Sequence, residues 1–152
     1  MSTTEATSPT SQVSVRPARA DDSDAVFALL NELAVSYLPD RQAFDVTFDS
    51  FAAGDDSTLL LVAELDGVVS GYALSTINRL LYTNGSSAQL QELVVESSAQ
   101  GNGIGSDLVQ ATEAACRARG VRQLTVASRR ASGFYERLGY GSTADYLKRT
   151  FD

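Results

Sequence analysis

Three glycines fall within five residues at Gly101-Asn102-Gly103-Ile104-Gly105, directly after the strand-like stretch Leu93-Val94-Val95. Ile104, Leu108, Ala111 and Ala115 then recur at helical spacing. A helix that starts here presents backbone N–H groups with no intrahelical partner, and its dipole adds partial positive charge at the same point. That pairing binds phosphate, and glycine supplies the positive φ and the close approach a diphosphate needs. The spacing departs from the dinucleotide fingerprint GxGxxG, and neither GKS nor GKT follows. Spacing alone leaves two readings, an anion cradle or a strand-to-helix turn without a ligand.

Other residue types narrow the chemistry. The chain has no histidine and one cysteine, Cys116. Ser-His-Asp and Cys-His hydrolysis are thereby excluded, a zinc site is not expected, and no intrachain disulfide can form. Cys116, inside the helix after the glycines, reads as a small packing residue. A general base must be a carboxylate, a tyrosinate or water. Strand alternation puts Glu92, Val94 and Glu96 on one face and Leu93 and Val95 on the other, so Glu92 faces a cleft if Leu93 and Val95 face the core. Glu92 is the first candidate base and Glu96 the alternative, closer to the glycines.

The net charge of -7 argues against nucleic acid as a partner. Residues 1–99 hold four arginines against fourteen acids, whereas residues 100–152 hold eight basic residues against five acids. An acidic N-terminal part attracts a protonated amine. In the basic part, Arg122, Arg129 and Arg130 are candidates to meet a phosphate.

The elements that must position these residues follow from periodicity. Residues 1–12, rich in Ser and Thr, form a tail, and one domain spans 13–152. A short strand at 13–16 precedes a helix capped by Asp21 to Asp24, with Val26, Leu29, Leu30, Leu33 and Tyr37 on its apolar face and Pro39 beyond it. A second helix at 41–53 aligns Phe44, Phe48 and Phe51. Strands at 58–65 and 68–76 join through Asp66-Gly67, a hairpin signal. A loop at 84–87 leads to a strand at 88–96. After the glycine loop come a helix to about Arg119, a strand at 124–128, a short helix at 132–138 and a final strand at 145–151. Hairpins beside a strand–helix–strand crossover predict a mixed sheet in an α/β domain.

Glu92-Leu93-Val94-Val95 followed by Gln100-Gly101-Asn102-Gly103-Ile104-Gly105 resembles the Q/R-x-x-G-x-G/A motif of the GNAT superfamily of N-acyltransferases. Ser132-Gly133-Phe134-Tyr135-Glu136-Arg137-Leu138-Gly139-Tyr140 resembles that family's FYxxLGF-like segment. The resemblance covers residues 13–151. It implies a GNAT-like, strongly twisted mixed sheet flanked by helices, with acetyl-CoA as co-substrate and no metal. It implies that backbone N–H groups of Gln100, Gly101, Asn102, Gly103, Ile104, Gly105 and Ser106 hold the pyrophosphate. Leu93, Val94 and Val95 would pair with the pantetheine arm, and Tyr135 would protonate the departing thiolate. Ser128 stands where many relatives carry Asn and can hydrogen-bond the cofactor with a hydroxyl.

The expected function is direct transfer of acetyl from acetyl-CoA to a primary amine of a small molecule, with Tyr135 and Glu92 catalytic. The alternatives are a non-catalytic acyl-CoA-binding module and a protein lysine or N-terminal acetyltransferase. No apolar run is long enough for a membrane span. A cytoplasmic location is expected, and a homodimer through the final strand is compatible with the predicted sheet edge.

Overall fold

The computed structural model describes residues 12–33, 37–128 and 131–151. Its elements are β1 (Val13–Pro17), α1 (Ser23–Leu33), α2 (Arg41–Ala53), β2 (Thr58–Leu65), β3 (Val68–Leu80), β4 (Gly85–Val95), α3 (Ile104–Ala118), β5 (Gln123–Val126) and α4 (Ser132–Arg137). Among the described residues the sheet has five strands in chain order, β1 to β4 antiparallel and β4 to β5 parallel. The mixed α/β sheet expected from the sequence is the one observed.

Two apolar layers sandwich this sheet. Leu59, Leu61, Ala63 and Ala73 pack with Leu108 and Val109 of α3 and Tyr135 of α4. Leu60, Val62 and Tyr72 pack on the other face with Val26 and Leu29 of α1 and Phe48 of α2. Burial on both faces explains the unbroken apolar run of β2. The β2–β3 hairpin turns on Asp66 and Gly67, both at positive φ, the pair a tight hairpin requires. The first turn is fixed by Asp22, which accepts two hydrogen bonds from the Arg16 guanidinium, at 2.8 and 2.9 Å, and one from the Arg19 N–H at 2.7 Å.

β4 carries the irregularity that matters for the site. Leu74 pairs with Glu92, but Ser75 pairs with Leu90, so Gln91 is an extra residue and the ladder bulges there. The bulge changes the phase of the strand. Ala88 and Leu90 face α3, whereas Val94 faces α1 and α2. Among the described residues, pairing with β5 runs from Ser87 with Gln123 to Leu90 with Val126. Beyond the bulge, β4 continues to Val95 without β5 beside it.

Several boundaries differ from those expected. β3 extends to Leu80, and the turn occupies residues 81–84, so Gly85, Ser86 and Ser87 are strand. Asn84 at φ 56° makes the turn. α1 is described as Ser23–Leu33, residues 34–36 lie outside the described residues, and Tyr37 is not helical and is exposed. The final strand at 145–151 is absent: residues 141–151 join no ladder among the described residues, and Tyr146, Leu147 and Phe151 are exposed. Their apolar alternation suits a strand, but the contact they make with the sheet is through a side chain: the Tyr146 hydroxyl accepts from Gln89 Nε2 of β4 at 3.2 Å.

Candidate active site

Ser97–Ala99 form one 3-10 turn after β4, with Glu96 at its start, and the glycine loop follows. Gly101 and Gly103 adopt φ of 91° and 77°, and a Cβ at either would project into open space. Asn102 Nδ2 donates to the Ala99 carbonyl at 2.8 Å, folding its side chain back under the loop. The first intrahelical bond of α3 is Asp107 N–H to Gly103 C=O. The N–H groups of Gly101 through Ser106 therefore have no protein acceptor among the described residues. Gly105 is different. Its Cβ would lie 3.4 Å from the Phe134 ring, so this glycine seats α4 against α3.

α4 presents Tyr135 through a specific helix ending. Gly139 at φ 97° donates to the Glu136 carbonyl, and the Tyr140 N–H donates to the Tyr135 carbonyl, both at 3.0 Å. This is a Schellman cap, which brings the residue after the glycine against the residue three before the helix end. Tyr140 accordingly packs edge-on to Tyr135, 5.8 Å between centroids, and its hydroxyl donates to Glu113 of α3 at 2.5 Å. The Leu-Gly-Tyr part of the motif thus clamps Tyr135. Burial raises the pKa of the Tyr135 phenol above the ordinary tyrosine value.

On the opposite face lies a cavity of about 460 Å³ between α1, α2 and the sheet. Leu30, Phe44, Phe48, Phe51, Leu60 and Leu74 supply apolar wall, and Asp40, Thr47, Tyr72 and Glu92 are its polar members. Tyr72 is almost wholly buried and donates its hydroxyl to Glu92 Oε1 at 2.7 Å. Burial, and then the Glu92 charge, raise the pKa of Tyr72 far above the ordinary value, so it acts here as a fixed donor. Asp40 caps α2, accepting from the Ala43 N–H at 2.9 Å. Glu92 and Tyr135 therefore stand on opposite faces of the sheet.

Residues 24–140 match the family model described as Acetyltransferase (GNAT) family. The chain belongs to the GNAT acetyltransferase family. Glucosamine 6-phosphate N-acetyltransferase 1 of Oryza sativa subsp. japonica is 28% identical over 131 residues, spanning 83% of this chain and 79% of the rice protein. The crystal structure of glucosamine-6-phosphate N-acetyltransferase from Arabidopsis thaliana superposes with a TM-score of 0.81 at 21% identity, covering 93% of this chain and 99% of that one. An aminoglycoside N-acetyltransferase in complex with CoA superposes with a TM-score of 0.78 at 17% identity, covering 95% and 98%. At these identities the two structures show the shared fold.

This GNAT chain brings most of its expected site residues together. Leu93, Val94 and Val95 edge the gap, the loop from Gln100 to Ser106 follows β4, Glu92 lies on the cavity face and Tyr135 packs on the α3 face. Glu96 is not in the cavity wall; its N–H donates to the Ser70 carbonyl of β3 at 2.8 Å. Ser128 Oγ accepts from the Ala131 N–H at 3.1 Å and so shapes the approach to α4. Arg129 and Arg130 lie outside the described residues. Arg122 donates its backbone N–H to the Ser86 carbonyl at the start of β4. The hydrogen bond of Tyr72 to Glu92 and the capping role of Tyr140 are the contacts that the sequence did not assign. The diagonal of Tyr72 to Glu92 becomes visible only with the β3–β4 register.

Proposed function

We propose that the protein transfers the acetyl group of acetyl-CoA to the primary amine of a small molecule by direct attack in a ternary complex. One observation carries this reading: β4 parts from β5 beside a set of unpartnered helix-start N–H groups, with a carboxylate on one face and a phenol on the other. The residues suit acetyl-CoA. The N–H groups from Gly101 to Ser106 would hold the pyrophosphate, while the Gln100 N–H donates to the Ser97 carbonyl at 3.4 Å, and Gly101 and Gly103 leave open the space a side chain would fill. Because the Glu96 N–H points to β3, alternation turns the N–H groups of Leu93 and Val95 toward the gap. They can pair with the pantetheine amides and polarise the thioester carbonyl, a donor role worth about 3 kcal/mol in comparable sites.

Glu92, directly or through water, takes the proton from the ammonium, and the free amine attacks the acetyl carbonyl. As the C–N bond forms and the C–S bond breaks, Tyr135 gives its proton to the sulfur, and the second proton of the attacking nitrogen leaves to water, from which Tyr135 is reprotonated. Burial keeps Tyr135 protonated through the alkaline range where amines are free, which suits a proton donor. The activity named for the rice and Arabidopsis relatives acts on an amino sugar phosphate, which supports a small-molecule acceptor.

A cytoplasmic location fits the single buried thiol, Cys116. A homodimer is proposed through residues 141–151, whose exposed Tyr146, Leu147 and Phe151 a second copy would cover. The deciding assay is acetyl-CoA-dependent release of free thiol over a panel of amines and lysine peptides, with acetyl-CoA binding followed by calorimetry. Turnover of a small amine supports the proposal. Binding without any turnover turns it toward the non-catalytic acyl-CoA module, and turnover of peptides alone toward a protein acetyltransferase.

A further inference from the structure

The cavity points to a narrower acceptor than the family relation gives. We infer that the acceptor is a primary amine on an apolar, aromatic-sized body, an arylalkylamine, bound between α1, α2 and the sheet. The inference rests on the acyltransferase reading above and adds the substrate class.

Three observations support it. First, the wall is aromatic: Phe44 and Phe48 stack with centroids 5.3 Å apart and planes 21° from parallel, with Phe51 and Leu30 completing that side. A cavity of about 460 Å³ lies within the range typical of small-molecule sites. Second, the charged members are both acids. Tyr72 occupies Glu92 Oε1, and Oε2 has no protein partner among the described residues, leaving it to accept from an ammonium. Third, no lysine or arginine lines the cavity among the described residues. Arg41, next in the chain to Asp40, is committed to Asp24 at 2.7 Å and Asp45 at 2.8 Å, with its guanidinium over the Phe27 and Phe44 rings.

These features discriminate by desolvation. A phosphate placed here would meet two carboxylates and lose its water without a cation in return. A polyamine or aminoglycoside would press further ammonium groups against phenylalanine. An aryl ring gains from the same surface, and one amine suffices for Glu92.

The test uses the full chain in the thiol-release assay with 2-phenylethylamine, glucosamine 6-phosphate and spermidine. The expected kcat/KM for 2-phenylethylamine exceeds that for each of the others by about tenfold or more, the scale of burying one aryl group. Thr47, exposed on α2 and part of the cavity wall, provides a variant that spares the core. Thr47→Trp should raise the KM for 2-phenylethylamine about tenfold while the acetyl-CoA dissociation constant stays unchanged. Preference for either other amine, an unmoved KM in Thr47→Trp, or acetyl-CoA binding with no turnover of 2-phenylethylamine overturns the inference. Failure to bind acetyl-CoA at all overturns the acyltransferase reading and this inference with it.

Discussion

Tyr135 is held from two directions, by the edge of Tyr140 and by the edge of Phe134, 5.0 Å away between centroids. Replacing it with Phe keeps both packing contacts and removes only the proton. Tyr135→Phe is therefore expected to lower kcat at least tenfold with acetyl-CoA affinity unchanged, measured by steady-state rates and calorimetry. Because burial raises the phenol's pKa, the wild-type rate should climb with pH as the amine deprotonates and show no falling limb below about pH 10. Glu92 is the second residue to test. Glu92→Gln keeps the Tyr72 hydrogen bond possible and removes the charge, so kcat/KM for the amine should fall about a hundredfold. Equal rates in wild type and variant would assign the base to water alone. Glu92 was singled out by type and strand alternation, and Tyr135 by the resemblance of its segment to the family motif. Their partners Tyr72 and Tyr140 were not, because each acts through a contact that register or a helix cap creates.

At the scale of elements, the glycine loop and α4 end in ways that sequence spelled out. Gly139 after the last turn of α4, like Gly120 after α3, takes positive φ and completes a cap. Gly103, at φ 77° with a Cβ directed into open space, sits at the entrance of the N–H cradle. Gly103→Val should weaken acetyl-CoA binding about tenfold or more, through backbone strain and a side chain in that space, as read by calorimetry. The bulge at Gln91 was hidden, since Ala88, Leu90, Glu92 and Val94 keep strict spacing in the sequence while the phase reverses between Leu90 and Glu92. A final strand was expected from apolar alternation in residues 145–151. Alternation marks a face and leaves the pairing partner unspecified.

Across the whole molecule, β1 and the start of α1 are joined by a charge cluster remote from the gap. Arg16 bonds Glu64 at 2.6 Å and Asp22 at 2.8 Å. The Arg16 guanidinium holds the Asp22 carboxyl below the ordinary carboxylate range. A depressed folded-state pKa stabilises the fold fully above the unfolded value near 4, and this stabilisation disappears as pH falls through the lowered value. Asp22→Asn should cost about 2 kcal/mol at pH 7 in urea unfolding, and the gap to wild type should narrow in acid. Catalytic rates at neutral pH should be unaffected while the variant remains folded.

The parting of β4 from β5 has an evolutionary consequence. It makes the sheet a partition with one slit: donor chemistry is written in residues 93–140, and the acceptor room in residues 26–74 plus Glu92. Substitutions on the cavity side of α1 and α2 remodel the room from one face of the sheet, while α3 and Tyr135 pack on the other. A chain built this way can change its customer while keeping its currency, and the aromatic lining of α2 is where such a change would first be recorded.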